Sequence, residues 1–485
     1  MAAMSAFDSP LQKRLAQLRP VQWLLAIAAI ALSADLAIRL TERTGGKLVV
    51  LALIPMLVAV LFLLLTRTEW LLLAVLATRA ALDPLFVLMK SGADGGLAPG
   101  AAVNALLIVA CMLLAIYRPQ RLLRGYILVW LPFIALLLLA HRIAPDPAKA
   151  TRMLLQYLSY FAVFCASSLV ITRRRDAKPW LLALLLASIV PTIFGLIDLA
   201  SGGVQPSIVD DDEPADLDSL VQEVGFRIQG AFTHPNIYAF FLLTIIGVLM
   251  YTIKSGLFVM GPIARSACYG YLLIQIGMLL ATQTRSAWVV CTFLFLAWGL
   301  FVERRYLLYL TVAPVLAALF VPAVRDRVLD LFTSSASNSE GQLNSYVWRL
   351  EMWKSASTWI QEKWMFGWGL DSYTEYSPVF FPLEYLKAHD AHNVYVQLAF
   401  ELGIPGAVAF ALIFVLLAAR GMSLLSTGRL EAVLLMVTAV GFMMVCYSDN
   451  MHRYLVSNWY LFFWLGLLCV LVTLPVAEQR GQRAA

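Results

Sequence analysis

The chain is 485 residues long, 61% hydrophobic and only 14% charged, with a mean hydropathy of +0.78. Soluble domains carry about 25% charged residues, so a water-soluble globular fold is excluded. The formal net charge of +6 is mild, gives no basic tract that a nucleic-acid partner would require, and matters through its placement.

Apolar runs of roughly 17 to 25 residues, each able to cross about 30 Å of hydrocarbon as a helix, recur from Val21 to Pro475. They start near Val21, Lys47, Glu69, Ala101, Gly125, Arg152, Trp180, Ile237, Arg265, Trp288, Tyr306, Asn393, Glu431 and Asn458. The first two are split only by "TERTGGK" and the ninth and tenth only by "ATQTRSAW", so the expectation is an all-α polytopic bundle of 12 to 14 transmembrane helices. The N-terminus has the basic start and apolar core of a signal peptide, and "ALSADLA" resembles a cleavage site. With so many spans following, it reads as a retained signal-anchor. All six cysteines fall inside apolar spans, where packing is their expected role.

Charge orients the bundle. Short basic loops, among them "RPQRLLR", "RRRDAK", "KSGLFVMGPIAR" and "ERR", belong on the cytoplasmic side, together with both termini. The alternate loops face outward. They include "HRIAPDPAKATR", the acidic stretch Ser201 to Asn236, a stretch of about 70 residues from Arg325 to His392, and "SDNMHRY". All five histidines (His141, His234, His389, His392 and His452) fall on this outer side. Three regions result: helices with an outer loop near 201–236 over residues 1–324, one large outer loop domain over 325–392, and C-terminal helices over 393–485. Within the large loop, Trp348, Met352, Trp359 and Trp364 recur at near-helical spacing, an amphipathic helix that lies along the interface or caps the bundle. "FGWGL" ends it with a glycine turn. No internal repeat is present.

The candidate chemistry gathers at the outer boundary. In "AHDAHNVYVQLAFELGIPG", Asn393 is a helix cap and Asn393, Gln397 and Glu401 form one polar stripe at i, i+4 and i+8, which does not face lipid. Arg227, Arg285, Arg349 and Arg453 also lie on the outer side, where few basic residues are expected. Arg285 sits in a very short turn that holds it near the membrane boundary. Guanidinium suits planar capture of phosphate or diphosphate, and four arginines beside the histidines point to a phosphate-binding outer cavity; snorkelling to headgroups is the plain alternative for any one of them. The acidic run Asp210 to Glu213 reads as a solvated mid-loop segment, and no metal-ligand arrangement stands beside a span. Glycosyl transfer from a lipid diphosphate fits: the leaving group needs its charge neutralised, and the acceptor hydroxyl gains from a base such as His392, oriented by Asp390 and His389.

The sequence "HNVYVQLAFELGIPG" resembles the His-Asn, nine residues, Gly-x-x-Gly signature of the bacterial O-antigen ligase family, with His392, Asn393, Gly403 and Gly406 in place and Ala407-Val408 departing from the usual Thr-Gly. "RIQGAFTHPNIYAF", "TRSAW" and "RLEMW…FGWGL" are similar to further family elements, carrying His234 and Asn236 besides the arginines. The resemblance implies an inverting, metal-independent glycosyltransferase without cofactor, in the bacterial inner membrane with its site facing the periplasm. It would move O-antigen from undecaprenyl diphosphate to a sugar hydroxyl of lipid A-core, giving lipopolysaccharide. His392, Arg285 and Arg227 would be catalytic; Arg349, His389, Asp390, Asn393, His234, Asn236 and Arg453 would bind substrate. An O-antigen polymerase or a protein O-oligosaccharyltransferase of the same superfamily is the alternative enzyme. A lipid or polysaccharide transporter, with Glu401 and Asp35 as its charged groups, is the alternative outside enzymes.

Overall fold

The computed structural model describes residues 58–84, 99–122, 124–203, 227–320, 325, 345–381 and 388–475. The chain divides into two compact units, 1–75 and 76–485. In the first, the described part is helical apart from one break. In the second, the order is α1 (Pro99–Tyr117), α2 (Arg124–Arg142), α3 (Pro147–Val170), α4 (Lys178–Ala187), α5 (Ile189–Ala200), α6 (Pro235–Lys254), α7 (Pro262–Ala281), α8 (Arg285–Phe301), α9 (Arg305–Phe320), α10 (Ser345–Glu362), α11 (Ser372–Phe380), α12 (Val394–Ser423), α13 (Leu430–Cys446) and α14 (Leu455–Thr473). The molecule is all-α and polytopic: seven helical stretches are long and apolar enough to cross a membrane, and four shorter apolar helices accompany them among the described residues. Helices stand wherever spans were expected from Glu69 onward. The span expected at Val21, the signal-anchor and the run Asp210 to Glu213 lie outside the described residues, as does most of the span expected at Lys47. The cysteines are free, and all but the half-buried Cys268 are buried.

Short polar connections make successive helices antiparallel, so the bundle has two distinct ends. One end gathers the starts of α3, α6, α8, α12 and α14 and the finishes of α2, α7 and α13. His141, His234, His389, His392 and His452 all belong to this end, as the charge of the loops predicted. Helix α14 runs through the centre. Its residues are apolar on every side and nearly all buried, the pattern of a helix wholly inside a bundle. It packs against α3, α6 and α13.

The span expected at Trp180 is two helices, α4 and α5, meeting at Ser188 three residues before Pro191. Proline cannot donate to the Ala187 carbonyl in the preceding turn, and at the junction the Ser188 hydroxyl donates to the Leu185 carbonyl at 2.6 Å. A sharper break divides α12 at Gly403, whose φ of 77° and ψ of 170° are non-helical. Pro405 follows and removes another donor. The freed carbonyls of Phe400 and Glu401 accept from the backbone N–H groups of Trp368 and Gly369 at 2.9 and 3.0 Å, and Ile404 N–H donates to the Trp364 carbonyl at 2.7 Å. Backbones this close leave no room for side chains. A Cβ on Gly403 would lie 2.5 Å from the Met365 carbonyl, and one on Gly367 would lie 2.5 Å from that of Glu401. "FGWGL" and "ELGIPG" are therefore two halves of one interlock.

That interlock seats α10 and α11 on α12. Met352, Ala356, Tyr373, Phe380, Phe381, Ala391 and Phe400 form a common buried core, with Trp348 and Trp359 packed at its margin. The expected amphipathic helix is α10, and it caps the bundle. Trp364 lies beyond its end and is exposed.

Candidate functional site

Two polar layers occupy the histidine end. The first is built where α6, α8 and the α13–α14 connection meet. His234 caps α6 by accepting from the Asn236 N–H through Nδ1 at 3.1 Å, and Pro235 supplies the fixed φ of a first helical residue. Asn236 is thereby aimed across the bundle. Its Oδ1 accepts from Arg227 Nη2 at 3.0 Å and from the Thr284 hydroxyl at 3.1 Å, while its Nδ2 donates to Asp449 Oδ2 at 2.6 Å. Arg227 also donates through Nε to the Thr282 carbonyl at 2.9 Å. Tyr454 donates its hydroxyl to Asp449 Oδ1 at 2.7 Å, and Arg349 donates to the Ser448 carbonyl at 3.0 Å. Arg285 is the first residue of α8, directly after Thr284 in the three-residue turn between α7 and α8.

His392 stands beside this layer. It has a left-handed backbone, φ 49°, in the turn that delivers Asn393 to its capping position, where Oδ1 accepts from the N–H groups of Tyr395 and Val396 at 2.9 and 3.2 Å. Its ring is half-buried against the edge of Trp348 and, among the described residues, makes no hydrogen bond. Burial and the Arg349 guanidinium push the His392 pKa below the ordinary imidazole value, against the pull of Asp449 and Asp390. The ring is neutral at pH 7, which leaves a nitrogen able to accept a proton.

The second layer is closed on itself. Arg453 Nη2 pairs with Asp371 at 2.5 Å and Asp390 at 3.2 Å, and bonds Thr374 at 3.0 Å; Thr374 in turn donates to Asp390 at 2.6 Å. Burial acts to raise the pKa of Asp390, but Arg453 and the Thr374 hydroxyl outweigh it and hold the carboxyl below the usual range. For Asp371, burial outweighs Arg453 and the pKa rises. His452 is buried, stacked on Tyr157 with 6.1 Å between ring centroids, and neither ring nitrogen has a hydrogen-bond partner among the described residues. Burial first and Arg453 second lower its pKa to about 3. The polar stripe of α12 continues this layer: Gln397 accepts from the Ala391 N–H at 3.3 Å and donates to Glu401 at 2.9 Å, with all three residues buried.

The residues singled out in the sequence thus fall at one end of the bundle, in two environments. Arg227, Asn236, Arg349 and His392 gather around Asp449, with His234 and Arg285 at the helix starts beside them. Asp390 and Arg453 are engaged with each other, and the His389 N–H is tied to the Ser377 hydroxyl at 2.7 Å. Sequence reasoning missed Asp449, Thr284, Asp371 and Thr374. Asp449 carried a signal, an acidic residue in the polar turn "SDNMHRY" between two spans. The other three carried none, since their partners lie far away in the chain. Below Asn236, an apolar cleft between α6, α8, α13 and α14 is lined by Phe240, Leu243, Val290, Val437, Phe442 and Leu461.

Residues 270–411 match the model of the O-antigen ligase family, a segment that contains Arg285, Arg349, His389, Asp390, His392 and Asn393. No curated protein matches the chain.

Proposed function

We propose, from the match of residues 270–411 to the O-antigen ligase family model, that this chain transfers O-antigen polysaccharide from undecaprenyl diphosphate to a sugar hydroxyl of lipid A-core. The reaction takes place at the periplasmic face of the bacterial inner membrane, inverts the anomeric carbon and needs no metal ion. The observation that carries this reading is the neutral, half-buried His392 ring, without a protein hydrogen bond among the described residues, at the end of the bundle where the guanidiniums gather.

In the proposed reaction the acceptor hydroxyl gives its proton to the free nitrogen of His392 as its oxygen attacks the anomeric carbon. The bond from that carbon to the diphosphate oxygen breaks, and the electron pair leaves with the diphosphate. A positioned base supplies roughly 10² to 10⁴ in rate. Arg285 and Arg227 neutralise the charge on the departing diphosphate, and Arg349 keeps His392 neutral and aids positioning of donor or acceptor. Asn236 and His234 hold the Arg227 side of the site in register. Asp390 and Arg453, each engaged by the other, fix the segment that carries His389, His392 and Asn393. The apolar cleft below Asn236 places a hydrophobic surface beside the diphosphate position, in keeping with a lipid-borne donor.

The test is transfer by purified protein in detergent, given the lipid-diphosphate glycan and lipid A-core with a chelator present. Formation of glycosylated lipid A-core is the expected result. Extension of a lipid-linked glycan instead would identify a polymerase, and glycan on a protein acceptor would identify an oligosaccharyltransferase. No transfer to any acceptor would refute the enzyme reading and leave transport.

A further inference from the structure

The opposite end of the bundle carries a second polar site. Helix α6 rises about 1.5 Å per residue from Pro235 to Lys254, which places Lys254 about one bilayer thickness from Asn236. There a cavity of about 240 Å³ is lined by Lys254, Phe258, Met260, Arg265, Tyr269 and Arg305. Glu303 is the acidic partner inside this group, bonded to Lys254 at 3.4 Å and to Arg305 at 2.6 Å. One carboxylate thus serves two cations. The Arg265 guanidinium has neither an ion-pair nor a hydrogen-bond partner among the described residues, and Lys178 adds a further positive charge nearby, 5.9 Å over the Phe258 ring.

The surroundings of the pocket are apolar and outward-facing. Val259 and Ile263, which lie between Lys254 and Arg265 in the chain, are 102% and 87% exposed, and Leu273 and Ile274 continue an exposed apolar face along α7. Three cations line the cavity with one carboxylate beside them, and this excess of positive charge calls for an anion. An exposed apolar face running away from them calls for hydrocarbon.

We propose that this pocket binds the phosphate group of an anionic phospholipid, with Lys254, Arg265 and Arg305 on the headgroup and the acyl chains along α7. Basic pockets between transmembrane helices on the cytoplasmic side are suited to such headgroups. The chemistry at the cations is shared with a free phosphate; Val259, Ile263 and the α7 face favour the lipid. The proposal does not depend on the transfer reaction, because none of its residues belongs to the histidine end.

The test is native mass spectrometry of the full chain in detergent, with phosphatidylglycerol and phosphatidylcholine offered in equal amounts and inorganic phosphate as a separate arm in a thermal-shift assay. Retention of phosphatidylglycerol over phosphatidylcholine is expected, weakened about fivefold for each cation removed. Arg265→Gln is the first variant because Arg265 is exposed and unpaired, so the fold does not need it. The triple variant K254Q/R265Q/R305Q should retain neither lipid preferentially. Equal retention of the two lipids by the wild type, or unchanged retention by Arg265→Gln, would overturn the proposal. So would stabilisation by inorganic phosphate equal to that by phosphatidylglycerol, which would assign the pocket to a free anion.

Discussion

The two polar layers at the histidine end use the same residue types for different ends. Around Arg453 the charges meet each other: one guanidinium holds two carboxylates, and Thr374 ties the arrangement together. Around Asp449 the side chains are joined by hydrogen bonds, yet the His392 ring beside them is left with its nitrogen available. A closed set of charges fixes where chain segments sit, since removing one member leaves another buried and uncompensated. His452 is neutral and unbonded too, but it is sealed in the core against Tyr157, whereas His392 is half-buried at the end of the bundle, where a substrate can reach its nitrogen. Under the proposed function, the contrast gives positioning to Arg453, Asp371 and Asp390, and proton transfer to His392.

Substitutions in the two layers should therefore separate into losses of rate and losses of stability. The largest effect is expected from His392→Ala: initial transfer rates fall by roughly 10² to 10⁴ while the purified protein unfolds at an unchanged temperature. Arg285→Ala should lower transfer by about 10² to 10³, the magnitude typical of removing one donor to a developing negative charge, and should weaken donor binding in a titration. Arg453→Gln should show the opposite pattern. Two carboxylates lose their partner, so a stability loss of order 3 kcal/mol is expected in a denaturation curve, with activity falling in proportion to the folded fraction. If Arg453→Gln stayed fully stable yet inactive, the contrast between layers would be broken.

Smaller effects sharpen the scaffold side. Gly403→Ala forces a side chain into a left-handed position 2.5 Å from the Met365 carbonyl, and a loss of about 1 to 3 kcal/mol is expected, read as a lowered melting temperature. Acid should destabilise the closed layer through His452. The unfolded chain takes up a proton there below about pH 6.5, whereas the folded chain resists until about pH 3, so stability falls as pH drops through that window. A His452→Phe variant should show a shallower decline between those limits in thermal-shift measurements.

Much of this was legible in the chain. The apolar helices from Glu69 onward were, because crossing hydrocarbon demands long apolar runs. The shared end of the five histidines followed from the alternation of basic loops. The polar stripe Asn393, Gln397 and Glu401 followed from helical spacing and is buried as expected. What stayed hidden were the partnerships between distant residues. Asn236 and Asp449 are 213 positions apart and Arg453 and Asp371 are 82 apart, and no local pattern in "SDNMHRY" distinguishes an engaged arginine from one that meets substrate. The glycines of "FGWGL" read as a turn; their requirement comes from backbone that only folding brings against them, the Glu401 carbonyl of the broken helix at Gly367 and Ile143–Ala144 at Gly369.

The measurement that tests the account most directly is a titration of purified His392→Ala protein with the lipid-diphosphate donor, run beside the transfer assay. The account predicts donor affinity equal to wild type with transfer almost abolished, because the guanidiniums bind and the imidazole moves the proton. Wild-type transfer by this variant, or loss of donor binding together with transfer, would contradict it.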